Sequence, residues 1–385
     1  MDVGRSPEIN VLLTACTEIL SSDKQHRLGQ YITERTFSWD KLHTLALRHR
    51  IAPFLYRTLQ QIPDVPEAFL AKLQSDCRMI ATDNMLKLHE YDRLTNVLAD
   101  QGIQHIGLKG IYLAKNSYPN SNLRSIGDFD LLIARNDLLK TIRLLEENQY
   151  QLGEAYKHYL RYKEQTILAD LHEVSLFKPF FATSYFNIDL HWEIECFNKH
   201  YSTLHLEDVL SEPEFITENQ LLLTIIHHGV INIWQHIGYI NDLYFLLKDK
   251  AIDWTYLMQK LRYYGIETVF FVGLFWCRQM WSLSLPANVQ EMVNKSRVSS
   301  LADAYEKNWE TNESVLETSP GLKQIVFFAN SQTELAKKLR IYRTYVSSFV
   351  FRASTLSIGK RLIYIPKELG FITVFTRAIR SVMAS

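Results

Sequence analysis

Two aspartates alternate in the stretch "GDFDLLI" (127–133), at the mouth of the apolar run Leu131-Leu132-Ile133. On a β-strand, residues two apart share a face, so Asp128 and Asp130 point together while Phe129 and Leu131 point to the other side. Carboxylates so placed repel one another, and burying them is costly unless a divalent cation sits between them. A second run, "FNIDLHWEIE" (186–195), repeats the device, with Ile188, Leu190, Trp192 and Ile194 on one face and Asp189, His191 and Glu193 on the other. If the two strands are neighbours, Asp189 supplies a third carboxylate. Three carboxylates on adjacent strands can hold two magnesium ions, one gripping a triphosphate and one lowering the pKa of an attacking hydroxyl. The plainer alternatives are a helix cap or solvated strand end for Asp128 and Asp130, and a buried acid paired with a base for Asp189.

Other residues could join such chemistry. Arg124 can contact a phosphate, or it can pair with an aspartate and hold its loop. His191 shares the acidic face, where it would assist an acceptor or be a hydrogen-bonded sheet histidine. His227 and His228 lie in an apolar helical pattern with Trp234 and Asp242 on following turns; contact with an acceptor and simple packing are the two readings. No His/Cys cluster has zinc-ligand spacing.

These residues need elements to position them. The 385 residues suffice for two or three units, and 42 basic side chains balance 42 acidic ones, so no global field drives the molecule onto nucleic acid or membrane. Cys16, Cys77, Cys196 and Cys277 show no paired spacing, which fits a reducing cytoplasm. The N-terminus has no signal-peptide pattern, and the apolar run Val269–Cys277 is too short to span a bilayer, so a soluble, cytoplasmic protein is expected. From Ala336 to Ser385 the sequence has ten basic residues and one acid, Glu368, interleaved with Tyr342, Tyr345, Phe349, Phe351 and Tyr364. Such a segment can bind RNA or an anionic surface. Pairing with the preceding acidic stretch "DAYEKNWETNESVLE" (303–317) is the favoured expectation, and nucleic acid is not the favoured partner.

The first hundred residues carry apolar positions at helical spacing, and the helical period returns after about residue 205. Between them the order reads strand, helix, strand, helix, strand, strand. The expected class is α+β: a small mixed β-sheet core over 103–204, flanked by an N-terminal helical region, 1–102, and a C-terminal one, 205–385. Trp39, Leu42 and Ile51 recur at the same spacing as Trp254, Leu257 and Ile266. This echo is too short to define a repeat protein.

"LKG" at 108–110, Arg124, "GDFDLLI" at 127–133 and "IDLHW" at 188–192, in this order, resemble the uncharacterised bacterial nucleotidyltransferase-like family of the DNA-polymerase-β-type nucleotidyltransferase superfamily. The upstream pattern from Trp39 to Tyr56, the downstream "HHGVINIW" (227–234) and "YINDLYFLL" (239–247), and the pair Asp253-Trp254 extend it over roughly residues 38–270. The resemblance implies a nucleotidyltransferase core that moves a nucleoside monophosphate from a nucleoside triphosphate, ATP being the expected donor, to an unidentified small-molecule or peptide acceptor. It implies Asp128 and Asp130 as ligands of two Mg2+ ions and Asp189 as the third ligand, which helps to deprotonate the acceptor. Gly110 and Lys109 would meet the β- and γ-phosphates, with Arg124 beside them, and His191, His227, His228 and Asp242 would serve the acceptor. The superfamily's usual glycine-serine turn is Lys-Gly here, and it stands farther than usual from the acidic pair. A nucleotide-binding scaffold without turnover and a toxin-like or tRNA-directed transferase are the alternatives.

Overall fold

Helix caps account for the first elements. Ser21 caps α2 (Ser22–Ile32) by accepting from the Lys24 amide, and Ser38 caps α3 (Trp39–Arg48) by accepting from the Lys41 amide. Proline sits in the first turn of α1 (Pro7–Ala15) and of α4 (Ala52–Leu59), where a missing amide hydrogen costs nothing. The long α5 (Glu67–Asp100) follows. The structure, a computed structural model, describes residues 5–153, 156, 171–181, 184–196, 203–310, 320–351, 354–358 and 361–374. The chain adopts an α+β fold, a small mixed sheet among many helices. It clusters into two units, each built from separated stretches: Met1–Asp92, Leu108–Gly127 and Thr217–Val315 in one, Arg93–Gly107, Asp128–Ile216 and Leu316–Ser385 in the other.

The first unit is helical, and the tryptophan echo is a local structural repeat within it. Ser38 caps α3 as Asp253 caps the helix Trp254–Tyr264, each accepting from an amide three residues on. Both helices end at a left-handed residue, Arg50 (φ 59) and Gly265 (φ 68). Ile51 and Ile266 then donate to Ala46 and Leu261 carbonyls at 3.0 and 2.9 Å, with near-identical torsions (φ −125, ψ 12 and φ −114, ψ 12), and open α4 and the helix Glu267–Trp281. Leu42, Leu257, Ile51 and Ile266 are buried, so the echo marks core positions of two matching helix-turn-helix pairs.

The second unit holds a five-stranded sheet in the order β1-β2-β5-β4-β3, from His105–Leu108, Phe129–Ile133, Ser184–His191, Glu173–Phe181 and Gln151–Leu152 respectively. α6 (Lys109–Asn116) follows β1, and α7 (Leu138–Glu147) follows β2. β2 runs parallel to β5, and β4 runs antiparallel to both β5 and β3. Every residue of β2 is buried, as expected for an interior strand. The strand expected to continue through Glu195 stops at His191; Ile194–Glu195 pairs instead with Thr203–Leu204 in a separate ribbon, β6-β7. The basic tail forms the helix Leu335–Val350, then the hairpin β8 (Ser354–Ile358) and β9 (Arg361–Ile365), and then the 3-10 segment Lys367–Thr373. Its expected acidic partner, 303–317, lies partly outside the described residues. Among the described residues no helix is long and apolar enough to cross a membrane.

The repeat generates a stability test. Gly265 sits in the left-handed position that closes its helix, so Gly265→Ala forces a Cβ into that region at a cost of about 1 kcal/mol. The urea midpoint is expected to fall accordingly, and an unchanged midpoint would contradict the strain assigned here.

Candidate active site

The sheet brings the sequence's acidic residues together. The parallel register sets Asp130 beside Asp189 and Leu132 beside His191. Asp128 immediately precedes β2 and is half-buried, whereas Asp130 is buried within the strand. Across the antiparallel side, Ser175 stands opposite Asp189 and Glu173 opposite His191. Ser175 Oγ donates to Asp189 Oδ1 at 2.6 Å. His191 Nε2 lies 3.0 Å from Asp130 Oδ1, and its Nδ1 lies 3.0 Å from Glu173 Oε2. The imidazole therefore bridges carboxylates from β2 and β4. His172 extends the row, with Nε2 3.8 Å from Glu173 and Nδ1 3.4 Å from Glu195.

Four carboxylates in one neighbourhood have an electrostatic consequence. Asp189 is pushed above the ordinary aspartate range by burial first; the Ser175 hydrogen bond opposes this, and the charges of Asp128, Asp130 and Glu173 add to the rise. Burial alone would lower His172, but the hydrogen bond it donates to Glu195 and the charges of Glu195 and Glu173 outweigh this and raise it.

The donor chemistry fits a hard cation such as Mg2+, since the groups available are carboxylate oxygens whose mutual repulsion a divalent charge would relieve. Asp130 Oδ1 is turned to His191 and Asp189 Oδ1 to Ser175, and among the described residues no three His, Cys, Asp or Glu side chains converge as a ready-made cage. Rotation of the aspartate side chains is what would bring their oxygens to a common point.

Glu173 and Ser175 were not among the residues singled out from the sequence. The signal was there: "LHEVSLF" (171–177) alternates Glu173 and Ser175 with the buried Val174 and Leu176, the same pattern that exposes Asp189.

In the helical unit, Arg124, His227, His228 and Asp242 form a network of their own. Arg124 grips Asp242 with both ends of its fork, Nε to Oδ1 at 2.8 Å and Nη2 to Oδ2 at 2.9 Å. Tyr118 donates its hydroxyl to Oδ1 at 2.7 Å, and His228 Nε2 lies 2.9 Å from Oδ2. His228 Nδ1 meets His227 Nδ1 at 2.8 Å, and His227 Nε2 meets Asn232 Nδ2 at 3.2 Å. Asp242 and His228 are 2% and 1% exposed. Burial would raise Asp242, but Arg124 and His228 hold it far below the usual carboxylate range. The two histidines sit on a π-helical turn, Ile225–Ile231, and the His228 ring stacks on Tyr239 at 4.0 Å.

Gly110 belongs to this neighbourhood too. A Cβ there would stand 2.7 Å from Arg124 Nη1, so the glycine makes room for the buried guanidinium. Lys109, just before it, opens α6 with a positive φ of 50.

A family model described as an uncharacterised nucleotidyltransferase matches residues 35–282, more than half of the sequence. The chain belongs to this nucleotidyltransferase family. Comparison with curated proteins and with solved structures gives no significant match. The match takes in the acidic strands and the Asp242 network, so both are parts of the nucleotidyltransferase region, whereas the helix Leu335–Val350 lies beyond it.

The network sets a measurable expectation for this family member. Asp242→Asn removes the charge that Arg124 is buried against, and a loss of about 3–5 kcal/mol is expected in chemical denaturation. Because the folded-state pKa of Asp242 is depressed, its contribution is complete above about pH 4, near the unfolded value, and is lost as the pH falls toward the folded one. The gap between parent and variant should therefore narrow in acid. A constant gap down to the acid limit would show that the charge is not its source.

Proposed function

We propose that the acidic face of the sheet transfers a nucleoside monophosphate from a nucleoside triphosphate, with ATP as the donor, to an acceptor hydroxyl. The observation that carries this reading is the side-by-side register of Asp130 and Asp189 on parallel strands, with Asp128 one strand period away, in a member of a nucleotidyltransferase family. Bound Mg2+, two ions in this reading, would supply positive charge to the triphosphate; Asp128, Asp130 and Asp189 are the residues to hold it. The acceptor oxygen forms a bond to the α-phosphorus, the bond from that phosphorus to the bridging oxygen breaks, and pyrophosphate leaves. Asp189 takes the acceptor's proton, a role that suits a carboxyl held above the ordinary aspartate range. Ser175 holds Asp189 in place through Oδ1, leaving its second oxygen for that proton. His191, between Asp130 and Glu173, fixes the orientation of Asp130.

A screen with labelled nucleoside triphosphates and magnesium tests the reaction. Asp128→Ala combined with Asp130→Ala is expected to abolish magnesium-dependent nucleotide binding in calorimetry; binding as tight as the parent's would refute the metal assignment. Asp189→Asn is expected to keep nucleotide affinity within a few-fold while transfer is lost. Since the substitution also removes a repelled charge, its melting temperature without magnesium should equal or exceed that of the parent. A fall in melting temperature would identify Asp189 as a structural acid instead.

A further inference from the structure

The helix Leu335–Val350 carries two patterns at once. Leu335, Leu339, Tyr342, Val346 and Phe349 recur at alternating spacings of four and three, which lines them along one strip of the helix surface. All five are between 41% and 71% exposed, whereas Ile341, on another face, is buried. So continuous an apolar strip is unusual on a surface that meets only water. The same helix has Lys337, Lys338, Arg340 and Arg343 and no acid. At the α-helical period Lys338 and Arg343 fall on the two borders of the strip, while Lys337 is tied to Glu334 at 2.7 Å. In the same unit, Leu369, Phe371 and Ile372 are also exposed on the short 3-10 segment Lys367–Thr373.

We infer that this helix docks in the plane of an anionic lipid surface, its apolar strip sunk below the headgroups and Lys338 and Arg343 at their phosphates. Charge and hydrophobicity are arranged as such a surface requires: an apolar line with cationic borders and no acid. RNA would satisfy the cations but leave Leu335, Leu339 and Val346 in water, since phosphate and base contacts draw on basic and aromatic groups. A second copy laid strip to strip would bring the border cations Lys338 and Arg343 of the two copies together, which like-charge repulsion opposes. At 16 residues the helix is about 24 Å long and partly polar, which fits lying in the interface, not crossing it.

Flotation of the full-length protein with vesicles decides the matter, using phosphatidylcholine alone and phosphatidylcholine with a quarter phosphatidylglycerol. Binding to the anionic vesicles is expected to be at least about tenfold tighter than to the neutral ones, and to weaken with added salt. Leu339→Asp combined with Val346→Asp should lose about tenfold or more in vesicle affinity without a change in melting temperature, because both side chains are exposed. Should that pair disturb folding, Leu339→Ser with Val346→Ser makes the same test more gently. Lys338→Glu with Arg343→Glu should abolish the preference for phosphatidylglycerol. The inference is overturned if the parent does not float, floats equally on both compositions, or floats unchanged after a folded strip substitution. It is equally overturned if vesicles are ignored while the strip substitutions abolish binding to a short RNA or abolish self-association.

Discussion

A buried negative charge governs the helical unit. Asp242 is cut off from water, and an isolated carboxylate in that position would be prohibitively costly, so everything around it is arranged as a donor. Arg124 supplies two N–H groups, Tyr118 an O–H and His228 its Nε2–H. The carboxylate also dictates proton positions farther out. If His228 donates through Nε2, its Nδ1 must accept, and His227 must donate through Nδ1. His227 Nε2 is then an acceptor, which is what the Asn232 amide offers. A single charge thus fixes the tautomers of two histidines and the orientation of an asparagine. Burying such a pair is weak evidence for net stability, but it leaves the surrounding helices only one arrangement that satisfies every donor.

The sheet unit treats charge in the opposite way. Its carboxylates are collected on neighbouring strands, where Asp128, Asp130 and Glu173 raise Asp189 in place of neutralising it. The imidazole of His191 lies between Asp130 and Glu173, and it comes from the same strand that supplies Asp189. A fold selected for stability alone would not concentrate like charges beside a strand as buried as β2. The concentration makes sense as a site that is completed by a positively charged ligand, and that is the physical basis of the transfer reading.

The acidic face was legible in the sequence because strand alternation is a local rule: Asp128 with Asp130, and Asp189 with His191, are each two residues apart. The parallel register that sets Asp130 beside Asp189 spans far more chain, yet both runs are short, apolar and acid-bearing, so their adjacency could be stated as a condition. Glu173 escaped because its strand has weaker apolar content around Pro179 and Lys178, although its alternation is the same. The Asp242 network was only half legible. His227, His228 and Asp242 stand out as polar groups in an apolar helical pattern, but the pairing of Arg124 with Asp242 joins residues 118 positions apart, and nothing local encodes it. Of the two readings of Arg124, a phosphate contact and pairing with an aspartate, its partner in the structure is an aspartate distant in the sequence. Gly110 was read as a place for phosphate, whereas its packing against Arg124 depends on that same long-range pair. The tail's hairpin was missed because basic and aromatic residues at Arg361–Ile365 suit a strand as well as a helix face.

Local rules fail in this chain at particular points. Ile233 and Trp234 follow the π-helical turn with φ of 43 and 54, a left-handed pair in which a β-branched residue is strained. What holds them is the Trp234 indole: its Nε1 donates to the Val269 carbonyl at 3.0 Å, and added Cβ atoms at Gly229 and Gly273 would come within 2.9 and 2.7 Å of its ring. Two glycines thus open a slot, the slot fixes the tryptophan, and the tryptophan imposes the backbone that ends the turn carrying His227 and His228. Strain of about 1–3 kcal/mol at such positions persists only when packing over-determines it. The left-handed Lys109 stands beside Gly110, whose missing side chain admits Arg124. In both places an unfavourable torsion adjoins a residue that serves the Asp242 network, so the buried carboxylate and the strained backbone are parts of one constraint: the charge demands its donors, and the backbone yields to deliver them.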